Sequence, residues 1–428
     1  MSEGGAEIAG VAERLFRQES GKLVSVLTGI FGIERLQFAE DVVQEALVRA
    51  LRSWPENGVP KNPAAWLTQT AKNLALDLIR REQWFQERQP QIIASVERWG
   101  QGASEEAAFE TEIKDERLRL IFACCHPQIP AESQIALALK TLCGFTPAEI
   151  AKAFLTTEAA IAKRLTRARQ RIQELRIRFE IPSGEEIPER LDGVLQTLYL
   201  LFNEGYKASS GGELIREELC REAIRLACLV AEHPVGNRPR VHALAALMLL
   251  NASRLPARAD AAGNLLRLEE QDRTKWDRTA IARGLFHLAE SAAGTEASEY
   301  HLQAGIAALH CIAPSYAATD WKRILYLYDA LAALDDSPVV ALNRAVAVAQ
   351  VHGPEAGSRA VEKIRDRAAL ANYHLLHAVL AEFEFQRGNR PAAIEHGRKA
   401  LELAEQASER AHLARRLEVF SQGAERKA

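Results

Sequence analysis

Three groups of side chains have types and spacings that could do chemistry on a polyanion or a protein partner. The first runs Trp66, Gln69, Thr70, Asn73, Asp77, Arg80 and Arg81 at three- and four-residue steps. An aromatic ring, amides and paired guanidiniums in one line can stack on an unpaired base, bond its edge and hold its phosphates, as capture of a single strand requires. The same line also fits a plainer account, with Trp66 in the core and the arginines complementing a helix C-terminus. The second group is Lys163, Arg164, Arg167, Arg169 and Arg171, in a stretch that continues to Arg176 and Arg178 and whose acids are Glu158 and Glu174. A helix so charged fits a major groove, its first residues near base edges and its cations on phosphates. The third is Asp41, Gln44, Glu45, Arg49 and Arg52, where the like charges Asp41 and Glu45 stand four apart, unfavourably unless a partner cation offsets them. That face either docks a partner or is solvated, with Glu45 paired to Arg49.

Bond-making chemistry finds no comparable constellation. Cys124-Cys125-His126 is metal-like in composition, but adjacent helical residues point about 100° apart and no second ligand pair follows at zinc spacing, so small buried side chains are expected. Asp192, Glu204, Tyr206, His233, His242 and Asp272 are polar, yet no nucleophile-base spacing, phosphate loop or metal set joins them. The expectation is no catalytic residue, no metal and no cofactor.

The elements that must position these groups are helices. Apolar residues recur at three- and four-residue spacing and alternating β-branched runs are absent, which predicts an all-α protein. Phe38, Val42, Val43, Ala46, Leu47, Ala50, Leu51 and Trp54 form the apolar stripe behind the Asp41 face, and Leu67, Ala71, Leu74 and Leu78 the stripe behind Trp66. Asn62-Pro63 predicts a helix start, Thr146-Pro147-Ala148-Glu149 a capping box and Gly144 a helix stop. Thr146 to Ala153, a break at Phe154-Leu155-Thr156 and Thr157 to Ile172 then read as helix, turn and helix around Ile150, Ala151, Phe154, Ile161 and Leu165. Farther on, Ala345 to Gly353 recurs as Ala381 to Gly388, an offset of about 35 residues and close to the period of tetratricopeptide hairpins. The helices around Tyr300 to Leu309 and Trp321 to Leu331 would have to join that stack.

Composition sets the frame. With 428 residues, 47% apolar and 26% charged, the chain can bury several cores, and a net charge of −3 excludes a uniformly basic coat. Basic and acidic residues balance in 1–181 and acids slightly exceed bases in 182–428, so DNA affinity is expected from the local basic stretch alone. Six cysteines without paired spacing, no signal-like start and no apolar run of membrane length point to a cytoplasmic chain with reduced thiols and no membrane partner.

Taken together these residues resemble an extracytoplasmic-function sigma factor of bacterial RNA polymerase. The run Ala39-Glu40-Asp41-Val42-Val43-Gln44-Glu45-Ala46 is similar to the family's polymerase-docking helix. Ala65-Trp66-Leu67 through Ala71-Lys72-Asn73-Leu74-Ala75-Leu76-Asp77-Leu78-Ile79-Arg80-Arg81 is similar to its promoter-melting helix, and Phe145 to Ala151 with Arg164 to Arg169 to its second DNA-binding domain. Leu201 to Tyr206, Glu269 to Arg273 with Trp276-Asp277, and Ser337 to Ala345 extend the likeness to the subgroup with a long C-terminal extension. The resemblance implies region 2 at 1–90, an acidic linker at 91–116, region 4 at 117–180, a helical extension at 181–320 and tetratricopeptide-like repeats at 321–428. It implies that Asp41, Gln44, Glu45 and Arg49 dock on RNA polymerase core and that Trp66, Asn73, Asp77, Arg80 and Arg81 receive the minus-ten strand. Thr157, Glu158, Lys163 and Arg164 would read the minus-thirty-five element of promoter DNA, with Arg167 and Arg171 on phosphates. The extension would regulate through a protein or peptide bound by its helical array. The competing expectation is a helix-turn-helix regulator with a helical-repeat sensor that binds duplex DNA without being a sigma subunit; it leaves the Trp66 to Arg81 line without a use.

Overall fold

The computed structural model describes Leu15 and residues 19–81, 89–99, 115–154, 156–177, 186–208, 215–234, 236–260, 264–294 and 297–422. Among them the chain is all-α, and the one β feature is an isolated bridge between Ala259 and Leu265. Most of the acidic linker and the Pro182 to Gly184 break lie outside the described residues. No described helix is long and apolar enough to cross a membrane. The chain divides into two compact units, one of residues 1–205 with 221–236 and one of 206–220 with 237–428, so the first unit runs well past residue 181.

The first unit opens with α1 (19–31), a short 3-10 turn (Ile33–Arg35), α2 (Leu36–Asn57), α3 (Pro63–Arg81) and α4 (Gln89–Arg98). Leu36, Ala39, Val42, Val43, Ala46, Ala50 and Trp54 form the buried stripe of α2. Leu51, expected there, is 41% exposed, because a step of 100° per residue carries it round to the solvent edge. Against α2 pack Leu67, Ala71, Leu74, Ala75 and Ile79 of α3. Then follow α5 (Glu116–Cys124), α6 (Ala131–Cys143), α7 (Pro147–Ala153), α8 (Glu158–Leu175), α9 (Ile187–Tyr206) and α10 (Glu217–Glu232). Gly144 ends α6 in the left-handed conformation with φ 65°, where a side chain would be strained.

Helix α9 is built into the α5–α6 layer. A Cβ at Gly193 would meet Gln134 Oε1 at 2.6 Å and Cys125 Sγ at 3.1 Å, so the helices approach to contact distance. Arg190 Nη1 donates to the Phe122 carbonyl at 3.3 Å. Helix α10 adds two ion pairs, Arg117 with Glu222 at 2.5 Å and Arg225 with Asp115 at 2.7 Å, and Asp115 also caps α5. Cys124, Cys125 and Cys228 are buried in this unit, and burial pushes the Cys125 thiol up to about 12.

The second unit contains α11 (Pro239–Ala252), α12 (Arg278–Ser291), α13 (Glu299–Ile312), α14 (Trp321–Leu334), α15 (Pro338–His352), α16 (Pro354–Glu362), α17 (His374–Gln386), α18 (Arg390–Leu403) and α19 (Ala407–Ser421). Helix α11 is buried on all sides from Val241 to Leu250, held by α12 and α13. Leu342, Ala345, Val361, Leu376 and Phe383 form one core among α15, α16 and α17. Gly353 after α15 and Gly388 after α17 hold φ of 89° and 78°, so the two similar segments turn through the same kind of glycine. Cys220 and Cys311 are buried here, the former's thiol raised to about 12 by burial.

Candidate nucleic-acid interface

The three chemical groups fall on three helices of the first unit. On α2 the stripe turns Asp41, Gln44, Glu45 and Arg49 to solvent, with Gln37 donating to Asp41 at 2.7 Å and Arg49 beside Glu45 at 3.4 Å. Both contacts are exposed and weak, so the face is open to a partner.

Helix α3 starts where Asn62 Oδ1 accepts from the Ala65 amide at 3.1 Å, with Pro63 at the first helical position. Its outer line shows Asn73, Asp77 and Arg80 exposed, and Gln69 donates to Asn73 at 2.9 Å. Trp66 is half-buried and stands edge-on to the buried Trp54, ring centroids 5.6 Å apart. It is therefore held against Trp54 with part of its surface left exposed. The side chain of Arg81 lies outside the described residues. Lys72, between the two faces, donates to the Glu97 and Trp99 carbonyls at the end of α4.

Helices α7 and α8 form the expected helix-turn-helix. Thr146 Oγ1 accepts from the Glu149 amide at 3.2 Å while Glu149 Oε2 accepts from the Thr146 amide at 2.8 Å, a complete capping box. Thr157 caps α8 by accepting from Ala160 at 3.3 Å. Ile161, Leu165, Ala168 and Ile172 are buried, and Thr157, Glu158, Lys163, Arg167 and Arg171 are exposed, Arg171 beside Glu174 at 3.3 Å.

Two arginines of α8 are half-buried and paired to carboxylates of other helices. Arg164 pairs with Glu132 of α6 at 2.6 Å and lies 5.8 Å from the Phe154 ring centroid. Arg169 pairs at 2.7 Å with Glu40 of α2, whose other oxygen accepts from Thr141 of α6 at 2.9 Å. The sequence places Arg169 among the α8 cations and Glu40 in the run similar to the docking helix, but nothing in it pairs Glu40 with Thr141 or Arg169. Their partners stand about a hundred residues apart, beyond any periodicity.

Among the described residues no group of three or more His, Cys, Asp or Glu side chains could hold a metal. Of the polar residues weighed for catalysis, Asp272 caps a short turn through Thr274, Tyr206 accepts from Arg254 with Arg258 stacked on its ring, and His242 meets His287 at 2.9 Å between ring nitrogens. Burial first, then His242 and Arg283, holds His287 down at about 4, so the pair is neutral and structural at pH 7. The second unit also has a cavity of about 260 Å3 lined by Arg267, Glu269, Tyr316, Glu382, Phe383 and Arg416, in which Glu382 accepts from Nε and Nη2 of Arg416 at 2.6 and 2.8 Å.

Comparison with known proteins places families on these modules. Sigma-70 region 2 matches residues 15–85 and Sigma-70, region 4 matches 119–172, while residues 190–292 match a family of unknown function, DUF6596. An uncharacterized protein of Rhizobium meliloti (strain 1021) is 40% identical over 383 residues, 90% of each chain. No solved structure matches. With the α3 face and the helix-turn-helix falling within regions 2 and 4 in that order, and a relative alike along nearly the whole length, the chain belongs to the sigma-70 family, as an extracytoplasmic-function-type sigma factor that binds RNA polymerase core and promoter DNA and carries a helical extension.

Proposed function

We propose that α2 docks the polymerase through Asp41, Gln44, Glu45 and Arg49, while α3 receives the opened minus-ten strand on Trp66, Asn73, Asp77, Arg80 and Arg81. In the same reading Thr157, Glu158, Lys163 and Arg164 contact minus-thirty-five bases and Arg167 and Arg171 its phosphates. The observation that carries it is the α3 outer line, half-buried aromatic followed by exposed amide, acid and cation, behind a fully packed inner stripe. Such a line suits an unpaired strand, stacking on a fixed ring and neutralising phosphate nearby. A plain duplex-binding regulator has no use for it. The chain makes and breaks no covalent bond in this scheme and works in the cytoplasm.

The modules would be region 2 at 1–90 and region 4 at 117–180, joined by the linker at 91–116. The helices of 321–428 would act as a tetratricopeptide-like array that regulates initiation through a bound protein or peptide. The cavity is lined by Arg267, Glu269, Glu382 and Arg416 among apolar side chains, so it suits a peptide that carries apolar groups with charges of both signs.

In vitro transcription with core polymerase and the chain's own upstream region tests the reading, with permanganate detecting unpaired thymines. Initiation from one site with minus-ten thymines reactive is expected, and Trp66→Ala is expected to lower opening at least tenfold while leaving duplex affinity within twofold. Specific duplex binding that neither needs polymerase nor yields unpaired thymines would favour the self-sufficient regulator instead.

A further inference from the structure

Four arginines of the second unit gather without a counter-charge. Arg254 and Arg258 flank a 3-10 turn (Leu255–Ala257), Arg273 opens another (Arg273–Lys275), and Arg278 opens α12. They stand near enough that the charge of Arg254 acts on Arg258 and Arg273, and that of Arg278 on Arg273. Their partners are all neutral. Arg254 donates to the Tyr206 hydroxyl at 3.1 Å and to Asn251, and Arg258 donates to the Tyr206 carbonyl. Arg273 donates to the His310 and Ala313 carbonyls at 2.6 and 2.8 Å, and Arg278 to the Arg273 carbonyl at 3.4 Å. Asp272 and Asp277, adjacent in sequence, instead cap a turn and α12 by accepting from the Thr274 and Ala280 amides. Elsewhere in the same unit arginines do find acids, Arg267 with Glu269 and Glu270, and Arg416 with Glu382.

The neutral acceptors leave donors over. Arg254 Nε, Arg273 Nη2 and His310 Nδ1 are buried with no hydrogen-bond partner. So is the indole N–H of Trp276, a residue 2% exposed whose ring centroid lies 4.5 Å from the Arg273 guanidinium carbon. A buried donor without an acceptor forfeits the bonds it made to water, and like charges in a poorly screened setting repel. Burial first, then Arg254 and Arg273, holds His310 down at about 4, so the surroundings are strongly positive. One anion with several lone pairs would relieve both deficits. Guanidiniums suit phosphate oxygens in geometry as well as charge, and phosphate presents three such oxygens where a carboxylate presents two. Lys275 and Arg278, both exposed, give an incoming anion a positive approach.

We propose that Arg254, Arg273, Arg278 and Trp276 form a binding site for the phosphate group of a small molecule. All four lie within 190–292, the segment matched by the family of unknown function, so the site gives that segment a ligand class. The inference stands apart from the sigma reading, because these residues belong to the second unit and not to regions 2 and 4.

The test is isothermal titration of the full chain with inorganic phosphate and with pyrophosphate, against acetate at matched ionic strength. Saturable binding of a phosphate probe is expected, with a raised thermal midpoint, and acetate at least tenfold weaker. Trp276→Phe and, independently, Arg278→Gln are expected to weaken phosphate binding at least threefold with helical circular dichroism unchanged. Arg365→Gln, which removes an exposed cation paired with Asp336, is expected to leave it unchanged. Should Trp276→Phe lose helical signal, the exposed Arg278 decides alone. No saturable binding in the millimolar range, acetate binding as tightly as phosphate, or full affinity in both site variants would overturn the proposal. Neither polymerase nor DNA enters the experiment, so any of these results leaves the sigma reading intact.

Discussion

Arg164 and Arg171 stand on the same helix but in different settings, and their losses should read differently. Arg164 must leave Glu132 to reach a base, so Arg164→Ala is expected to cost about 1–3 kcal/mol on the cognate element and little on others. Arg171, exposed beside Glu174, should weaken all sequences evenly and flatten the slope of log affinity against log salt by about 0.9 when removed. Titration of binding on matched and mismatched duplexes at several salt concentrations separates the two. Glu409 of α19 offers a residue-scale test of stability. Burial alone would raise its carboxyl, but the Lys207 ammonium at 2.7 Å, with His374 beside it at 3.4 Å, holds it at about 2. A depressed carboxyl stabilises the fold above its unfolded value near 4.3 and loses that contribution as pH falls towards 2. Glu409→Gln is therefore expected to cost about 1–2 kcal/mol at pH 7, after allowance for solvent screening, and to approach wild type near pH 2 in denaturant titrations.

The elements show which parts of this protein were legible beforehand. The Thr146 capping box, the Gly144 stop, the Asn62 cap and the inner stripe of α3 were readable because each depends on residues within one or two turns of one another. Thr146→Ala is expected to destabilise the helix-turn-helix by about 1 kcal/mol, measurable as a lower thermal midpoint, with a matching loss of duplex affinity. Leu51 failed the expectation because helical phase drifts along a 22-residue helix and a broad stripe drawn on sequence overreaches its edge. Arg164 and Arg169 looked like free cations, since a local charge count has no access to Glu132 and Glu40. Trp66 stayed ambiguous for the same reason: its anchoring ring, Trp54, belongs to another helix.

For the whole molecule, the placement of α9 and α10 matters most. Both follow the region 4 match, yet Gly193, Arg190, Glu222 and Arg225 pack them onto α5 and α6. Cutting the chain at residue 181 should uncover the α5–α6 face they occupy, so the fragment is expected to bind a hydrophobic dye and aggregate where the full chain stays monodisperse. Loss of transcription by such a fragment would then report a broken core before it reports lost regulation. The second unit carries its own acid sensitivity. His287 and His310, both held at about 4 with burial the leading cause, stay neutral when folded while the unfolded chain takes up protons below about 6.5. Stability should fall as pH drops from about 6.5 to 4, and His287→Phe should blunt that fall in melts across this range.

The buried cysteines carry a practical consequence. With thiols near 12, Cys125 and Cys220 would be ionised in only about one molecule in ten thousand at pH 8, so alkylating reagents should bypass these two thiols in the native chain. Each unit thus contains a silent chemical clock, Cys124, Cys125 and Cys228 in the first and Cys220 and Cys311 in the second, that starts only when the local core breathes. Mass spectrometry of iodoacetamide uptake, resolved by peptide, would time those openings separately without any engineered label.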